Sequence, residues 1–191
     1  MHLCKLDLPL KTRRLALRSF SAGDFEPYAA YHSLPEVYRY LYAATPDAAD
    51  LERRFSKILK APFQGDGDVF RLAVIRRDDD AILGEVLLRV ASKSALQAEV
   101  GYVFNPAFSG KGYATEAVAK MIDTGFSDFG FHRIFARLDT ENAGSVGVVE
   151  RLGLRREAHL RQNDRFNGKW GDEYIYAVLA VEWSQSPHAY R

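Results

Sequence analysis

Three places in this 191-residue chain carry residue types whose spacing could do chemistry. The first is Ser109-Gly110-Lys111-Gly112-Tyr113-Ala114-Thr115. Its glycines leave backbone N–H groups uncrowded by Cβ atoms, and a helical pattern begins directly after them. A helix N-terminus carries partial positive charge and unsatisfied donors, so the stretch could cradle an anion, most naturally a phosphate. A plain strand-to-helix connection with glycines for turn geometry fits the spacing equally well. The second place is Asp139-Thr140-Glu141-Asn142-Ala143-Gly144-Ser145, at the exit of a strand. Asn142 and Ser145 put an amide and a hydroxyl at a helix start, where both types also serve as simple caps. The third is Glu99, a lone carboxylate in an apolar strand, on one face with Gly101 and Val103. It is a candidate base if that face borders a cleft, and a surface group if it meets solvent.

The first stretch is not a P-loop, because Gly112 and Tyr113 follow Lys111. Nor does it have the Gly-x-Gly-x-x-Gly spacing of a dinucleotide site. It resembles motif A of the GNAT N-acyltransferase superfamily, Gln/Arg-x-x-Gly-x-Gly/Ala, with Ser109, Gly112 and Ala114 at the three fixed positions. Ser109 departs from the usual Gln/Arg. Asn142-x-x-Ser145, followed by Glu150-Arg151-Leu152-Gly153-Leu154, resembles motif B of the same superfamily. The match is to the ribosomal-protein N-terminal-amine acetyltransferase branch, the RimJ/RimL type. The opening Thr12 to Arg18 and the stretch from Asn163 to Trp183 resemble that branch as well.

The resemblance implies a donor, acetyl-CoA, and an amine acceptor. In the family, the loop of motif A holds the pyrophosphate of coenzyme A, which here assigns Ser109, Gly110, Lys111, Gly112, Tyr113, Ala114 and Thr115. A splay beside the preceding strand, here Tyr102, Val103 and Phe104, frees an N–H for the thioester carbonyl and lets pantetheine pair like an extra strand. Asn142 would contact the pantetheine arm and Ser145 would lie near the sulfur. Many members place a tyrosine general acid seven residues after the Asn. Val149 stands there and cannot donate a proton, which leaves Ser145 as the nearest group for the leaving thiolate.

Such chemistry needs no enzyme nucleophile, because the amine attacks the thioester carbonyl directly. It needs a base to keep the amine neutral, a donor for the developing oxyanion and a hydrogen bond for the sulfur. Glu99, acting through water, is the candidate base. Two other readings stay open: a coenzyme A-binding module without catalysis, and an acyltransferase that uses succinyl-CoA.

The elements that must position these groups are legible from periodicity. Arg14 to Phe20 alternates as a strand, and Ser21 with Asp24 reads as a cap for a helix through about Ser33. A short helix over Pro35 to Leu41 is expected, then one started by Thr45-Pro46 and running to Leu59. Val69 to Arg76 and Ile82 to Val90 form a hairpin around Asp78-Asp79-Asp80, which lacks the spaced ligands of a calcium loop. Ala98 to Phe104 is the strand before the cradle, and a helix with Ala114, Ala117, Val118, Met121 and Ile122 on one face runs to about Gly130. Arg133 to Leu138 is a strand, Asn142 to Gly153 a helix and Leu154 to Leu160 a strand. Asn167-Gly168 turns the chain into a last strand, Asp172 to Val181. The order predicts an α/β (α+β) fold, a mixed, mostly antiparallel sheet with helices on both faces.

The length suits one domain over residues 1–191, with a flexible tail expected from Ser184 to Arg191. A net charge of +1 gives no support for a nucleic-acid partner. One cysteine, Cys4, excludes an internal disulfide, and the five histidines show no ligand spacing, so no metal is expected. No apolar run could span a bilayer, and Lys5 and Asp7 break up any signal-like start, so the expected location is the cytoplasm. Tyr38, Tyr40 and Tyr42 are candidates either for an acceptor pocket or for the core. Trp170, Trp183 and Tyr190 offer apolar area for a homodimer contact.

Overall fold

The computed structural model describes residues 6–188. One eight-stranded sheet runs through it, with strands β1 (Leu10–Lys11), β2 (Leu15–Arg18), β3 (Val69–Arg76), β4 (Ile82–Ser92), β5 (Gln97–Phe104), β6 (Arg133–Asp139), β7 (Arg155–Phe166) and β8 (Lys169–Leu179). The spatial order is β1-β2-β3-β4-β5-β6-β8-β7. β5 and β6 run parallel, and the other pairs are antiparallel. The mixed, mostly antiparallel sheet expected from the sequence is present.

Two helical layers cover it. Helices α3 (Tyr113–Ser127) and α4 (Ala143–Arg151) lie on one face. There Val118, Met121, Ile122, Val148 and Val149 pack against Leu72, Val86, Leu88, Val100 and Ile134 of the strands. Helices α1 (Phe25–His32) and α2 (Ala48–Ile58) lie on the other, where Tyr28, Tyr31, Leu51 and Phe55 close over Ala73 and Ile75. Val103 of β5 packs into this second cluster, so alternation along β5 sends Ala98, Val100 and Tyr102 to the α3 side and Glu99, Gly101 and Val103 to the α1 side.

Several boundaries differ from expectation for local reasons. Asp47, not Thr45, caps α2, its carboxylate accepting from the Asp50 N–H at 2.7 Å. Only a 3-10 turn, Pro35–Tyr38, forms where a longer helix was expected. Beyond it Tyr42 adopts φ 48° and turns the chain across the sheet. Helix α3 stops at Ser127, because a turn through Gly130 at φ 69° brings Phe129 and Phe131 back into the core. The strand after α4 does not join β6: β8 pairs with β6 over Arg133↔Leu179 to Asp139↔Glu173 and pushes β7 to the sheet edge. The Asn167-Gly168 turn has both residues at positive φ, as a tight hairpin with the sheet's twist requires.

At the C-terminal end the chain forms α5 (Ala180–Ser184), and His188 stacks on Trp183 with ring centroids 6.4 Å apart. The expected tail is therefore packed through its first residues, and 189–191 lie outside the described residues, as does Cys4. Trp183 is 2% exposed and belongs to the core, whereas Trp170 is 58% exposed. Of the proposed dimer contact only Trp170 is thus available, since Tyr190 also falls outside the described residues. Among the described residues no helix is long and apolar enough to cross a membrane.

Candidate active site

β5 and β6 pair only over Gln97↔Arg133, Ala98↔Ile134 and Glu99↔Phe135. Beyond Glu99 the strands part, while β5 stays paired with β4 as far as Phe104 and β6 with β8 as far as Asp139. The sheet is thus split, with unpaired backbone on Val100 to Phe104 along one side of the gap. Tyr102, Val103 and Phe104 lie in this segment, paired with β4 and not with β6. Glu99 stands at the vertex, half-buried, on the α1 face.

The wide end of the gap meets the glycine cradle. Gly110 and Gly112 both take φ 75°, the left-handed region that other residues enter only with strain. Gly112 is the N-cap of α3, and no side chain caps the first turn, so the amides of Tyr113, Ala114 and Thr115 point outward without a capping partner. Ser109, Gly110, Lys111 and Gly112 are exposed. The arrangement suits a phosphate.

Basic side chains surround the cradle. The Arg14 guanidinium donates to the Lys111 carbonyl at 3.0 Å, pairs with Glu116 at 2.7 Å and lies 4.6 Å from the centre of the Tyr113 ring. Thr12 adds a 2.6 Å bond to Glu116. Burial alone would push the Glu116 carboxyl up, but the bonds from Thr12 and Arg14 outweigh it and hold the group below the usual glutamate range. Arg151 reaches across from α4 to Thr115 at 3.4 Å. Between them lies a cleft of ≈ 400 Å³ whose walls include Gly112, Thr115, Arg151 and His188.

Helix α4 borders the gap from the β6 side. Asn142 caps it, accepting from the Ser145 N–H at 3.1 Å. The capping reading of Asn142 is therefore what the geometry shows, and its amide nitrogen is left for a further contact. Among the described residues the Ser145 hydroxyl has no partner, whereas the Ser145 carbonyl accepts from the Tyr102 hydroxyl at 3.0 Å. Val149 is fully buried in the core.

The α1 face of the gap is polar and largely acidic. Glu85, opposite Val103, is 1% exposed and ion-paired to Arg71, with His32 Nε2 3.7 Å away. His32 and Tyr38 share a 2.9 Å hydrogen bond, so both are buried in this network and do not wall an open pocket. Across the gap, Tyr42 donates to Asp139, and a side chain at Gly171 would collide with its ring. Arg137 bonds Glu173 at 2.8 Å, and Glu173 with the Glu99 charge holds the guanidinium above its ordinary range. Sequence reading missed Arg14, Glu116, Glu85 and Arg137. A charge inside the apolar run Ile82 to Val90 was a visible signal for Glu85, but the partners of the others are distant in sequence.

The Acetyltransferase (GNAT) domain family matches residues 14–155. The chain belongs to the GNAT acetyltransferase family. It is 32% identical over 175 residues to the uncharacterized N-acetyltransferase YnaD of Bacillus subtilis (strain 168), covering 92% of this chain and 99% of that protein. A GNAT-family acetyltransferase structure from Bacillus anthracis superposes with a TM-score of 0.82 at 30% identity, over 90% of this chain and 98% of that one. Spermidine N-acetyltransferase from Vibrio cholerae, solved in complex with CoA and spermine, has a TM-score of 0.77 at 22% identity, over 91% and 99% of the two chains.

Proposed function

We propose that the protein transfers the acetyl group of acetyl-CoA to a primary amine by direct attack. The observation that supports this most is the alignment of cradle, gap and carboxylate. The cradle amides with Arg14 and Arg151 would hold the phosphates, and residues 102–104 would pair with the pantetheine arm. Coenzyme A supplies the acyl group as a thioester, a carbonyl that an unprotonated amine can attack. Glu99 would take the amine's proton, directly or through water. The Ser145 hydroxyl would hydrogen-bond the sulfur as it departs.

The acceptor would come to the face that carries Glu99 and Asp139, carboxylates suited to an ammonium-bearing molecule. A protein or peptide N-terminus is the preferred acceptor, following the Rim-type resemblance, with a small-molecule amine such as a polyamine as the other candidate. The reading includes a cytoplasmic location and a homodimer, for which exposed Trp170 offers a contact. Light scattering that shows a monomer at high micromolar concentration removes the dimer.

Turnover tests the activity. Free thiol is followed with acetyl-CoA, and in parallel with succinyl-CoA, against alanyl and seryl peptides, spermidine and an acceptor-free control. Thiol release that depends on an acceptor supports the enzyme. Tight coenzyme A binding without release for any acceptor supports a non-catalytic binding module instead.

A further inference from the structure

On the α1 face two groups of opposite charge stand side by side without bonding each other. Glu99 of β5 pairs in register with Arg89 of β4. Their side chains therefore leave the sheet as direct cross-strand neighbours, about 5 Å apart at Cβ. Arg89 is exposed and Glu99 half-buried, and among the described residues neither side chain has a hydrogen bond or an ion pair. The other charges on this part of the face are already matched. Glu173 is held by Arg137 at 2.8 Å and by Asn163, while Arg71 pairs with Glu85 and Arg133 with Glu157. Asp139 accepts from Tyr42 and from the Glu141 N–H. What is left over is one carboxylate and, beside it, one guanidinium. We infer that Arg89 is a specificity-determining residue, and that the acceptor is an amine carrying a carboxylate a few bonds from its nitrogen.

This rests on the acetyl-CoA reading and names the acceptor class for it. In the free protein the two charges offset each other through space. An ammonium seated on Glu99 matches that carboxylate and leaves Arg89 as the uncompensated charge of the face. A guanidinium presents its donors as a planar fork that fits a carboxylate. A polyamine brings a second ammonium instead, which Arg89 repels. An acceptor with its own carboxylate satisfies both side chains, and that anion still anchors the molecule once the amine has given its proton to Glu99. A free amino acid supplies this chemistry, and so does an N-terminal segment with an acidic residue.

Initial rates with acetyl-CoA test this on acceptor pairs that differ by one charge. The pairs are Ser-Asp-Ala amide against Ser-Asn-Ala amide and alanine against alaninamide, with spermidine beside them. Alanine holds its amine proton more tightly than alaninamide does, so the quantity read is the change between wild type and Arg89→Gln. In at least one pair the substitution should lower kcat/KM for the charged member, relative to its neutral twin, about fivefold and mostly through KM. A change in the peptide pair makes an acidic segment the source, and a change in the alanine pair makes it a free amino acid. Equal slowing of both members in both pairs gives Arg89 a role in Glu99 or in the fold, and overturns the proposal. Unchanged ratios overturn it too, as does spermidine as the preferred acceptor. Turnover of the neutral members alone overturns the proposal and leaves the acetyl-CoA reading standing. A wild-type protein that releases thiol with none of these amines overturns both together.

Discussion

Arg14 and Glu116 are 102 residues apart in sequence and meet at two points. The Arg14 backbone N–H donates to Oε1 at 2.9 Å and its Nε to Oε2 at 2.7 Å. The same guanidinium holds the Lys111 carbonyl, so the bend leading into β2 braces the glycine cradle from outside.

Removing that brace should weaken coenzyme A binding without touching the chemistry. Glu116→Gln keeps the volume but loses the charge that orients Arg14. Its dissociation constant for coenzyme A should rise about tenfold, with kcat within about twofold of wild type at saturation. The substitution should also change acid stability. The carboxyl is held below its ordinary value of 4.5, so its stabilising contribution is present above that value and is lost as pH falls through the lower folded value. Thermal melts from pH 6 to pH 3 should therefore fall less steeply for Glu116→Gln. A wild-type slope in the variant would count against the pairing.

Gly112 should tolerate no branched side chain. Its φ of 75° costs another residue about 1–2 kcal/mol. Arg14 Nη2 lies 3.6 Å from where a Cβ would sit, so strain rather than collision is the immediate cost. In Gly112→Val the backbone should leave this conformation and coenzyme A binding should disappear from calorimetry, with the circular dichroism spectrum retained. Wild-type affinity in a folded variant would remove the cradle assignment.

Glu99→Gln should expose the need for a base. The acceptor amine is protonated near neutrality, so the rate should fall about a hundredfold there, and less as pH rises toward the amine's own pKa. Affinity for coenzyme A should hold. An unaltered pH–rate profile would make Glu99 a bystander and pass the role to water.

Ser145→Ala should be milder. The serine serves a thiolate that is already stable in water, so a loss of about tenfold with an unchanged profile is expected. A silent substitution would leave Ser145 as a first-turn hydroxyl and confine motif B to Asn142.

Residues read from local pattern came through where the pattern was local. The glycine turn, the apolar face of α3 and the Asn167-Gly168 hairpin are each decided by neighbours in sequence, and the structure has all three. Asp47 took the capping role from Thr45 because both types cap well and only the packing of α2 selects between them. The Arg14–Glu116 brace and the ion pair between Arg71 and Glu85 depend on which strands lie side by side. No periodicity encodes that. The same holds for β8: alternation marks it as a strand, but its insertion between β6 and β7 is a choice of partner.

That insertion has a bearing on how the chain is made. β6, the far wall of the gap, has three paired residues with β5, and its full-length partner is β8, synthesised after α4 and β7. On the ribosome, β6 therefore waits with one edge bare until the last strand emerges, a state open to wrong pairing. The edge of β6 opposite the gap, covered by β8 in the finished protein, is unguarded in the growing chain. Truncation within β8 should accordingly lead to aggregation, leaving no soluble protein with a defective site.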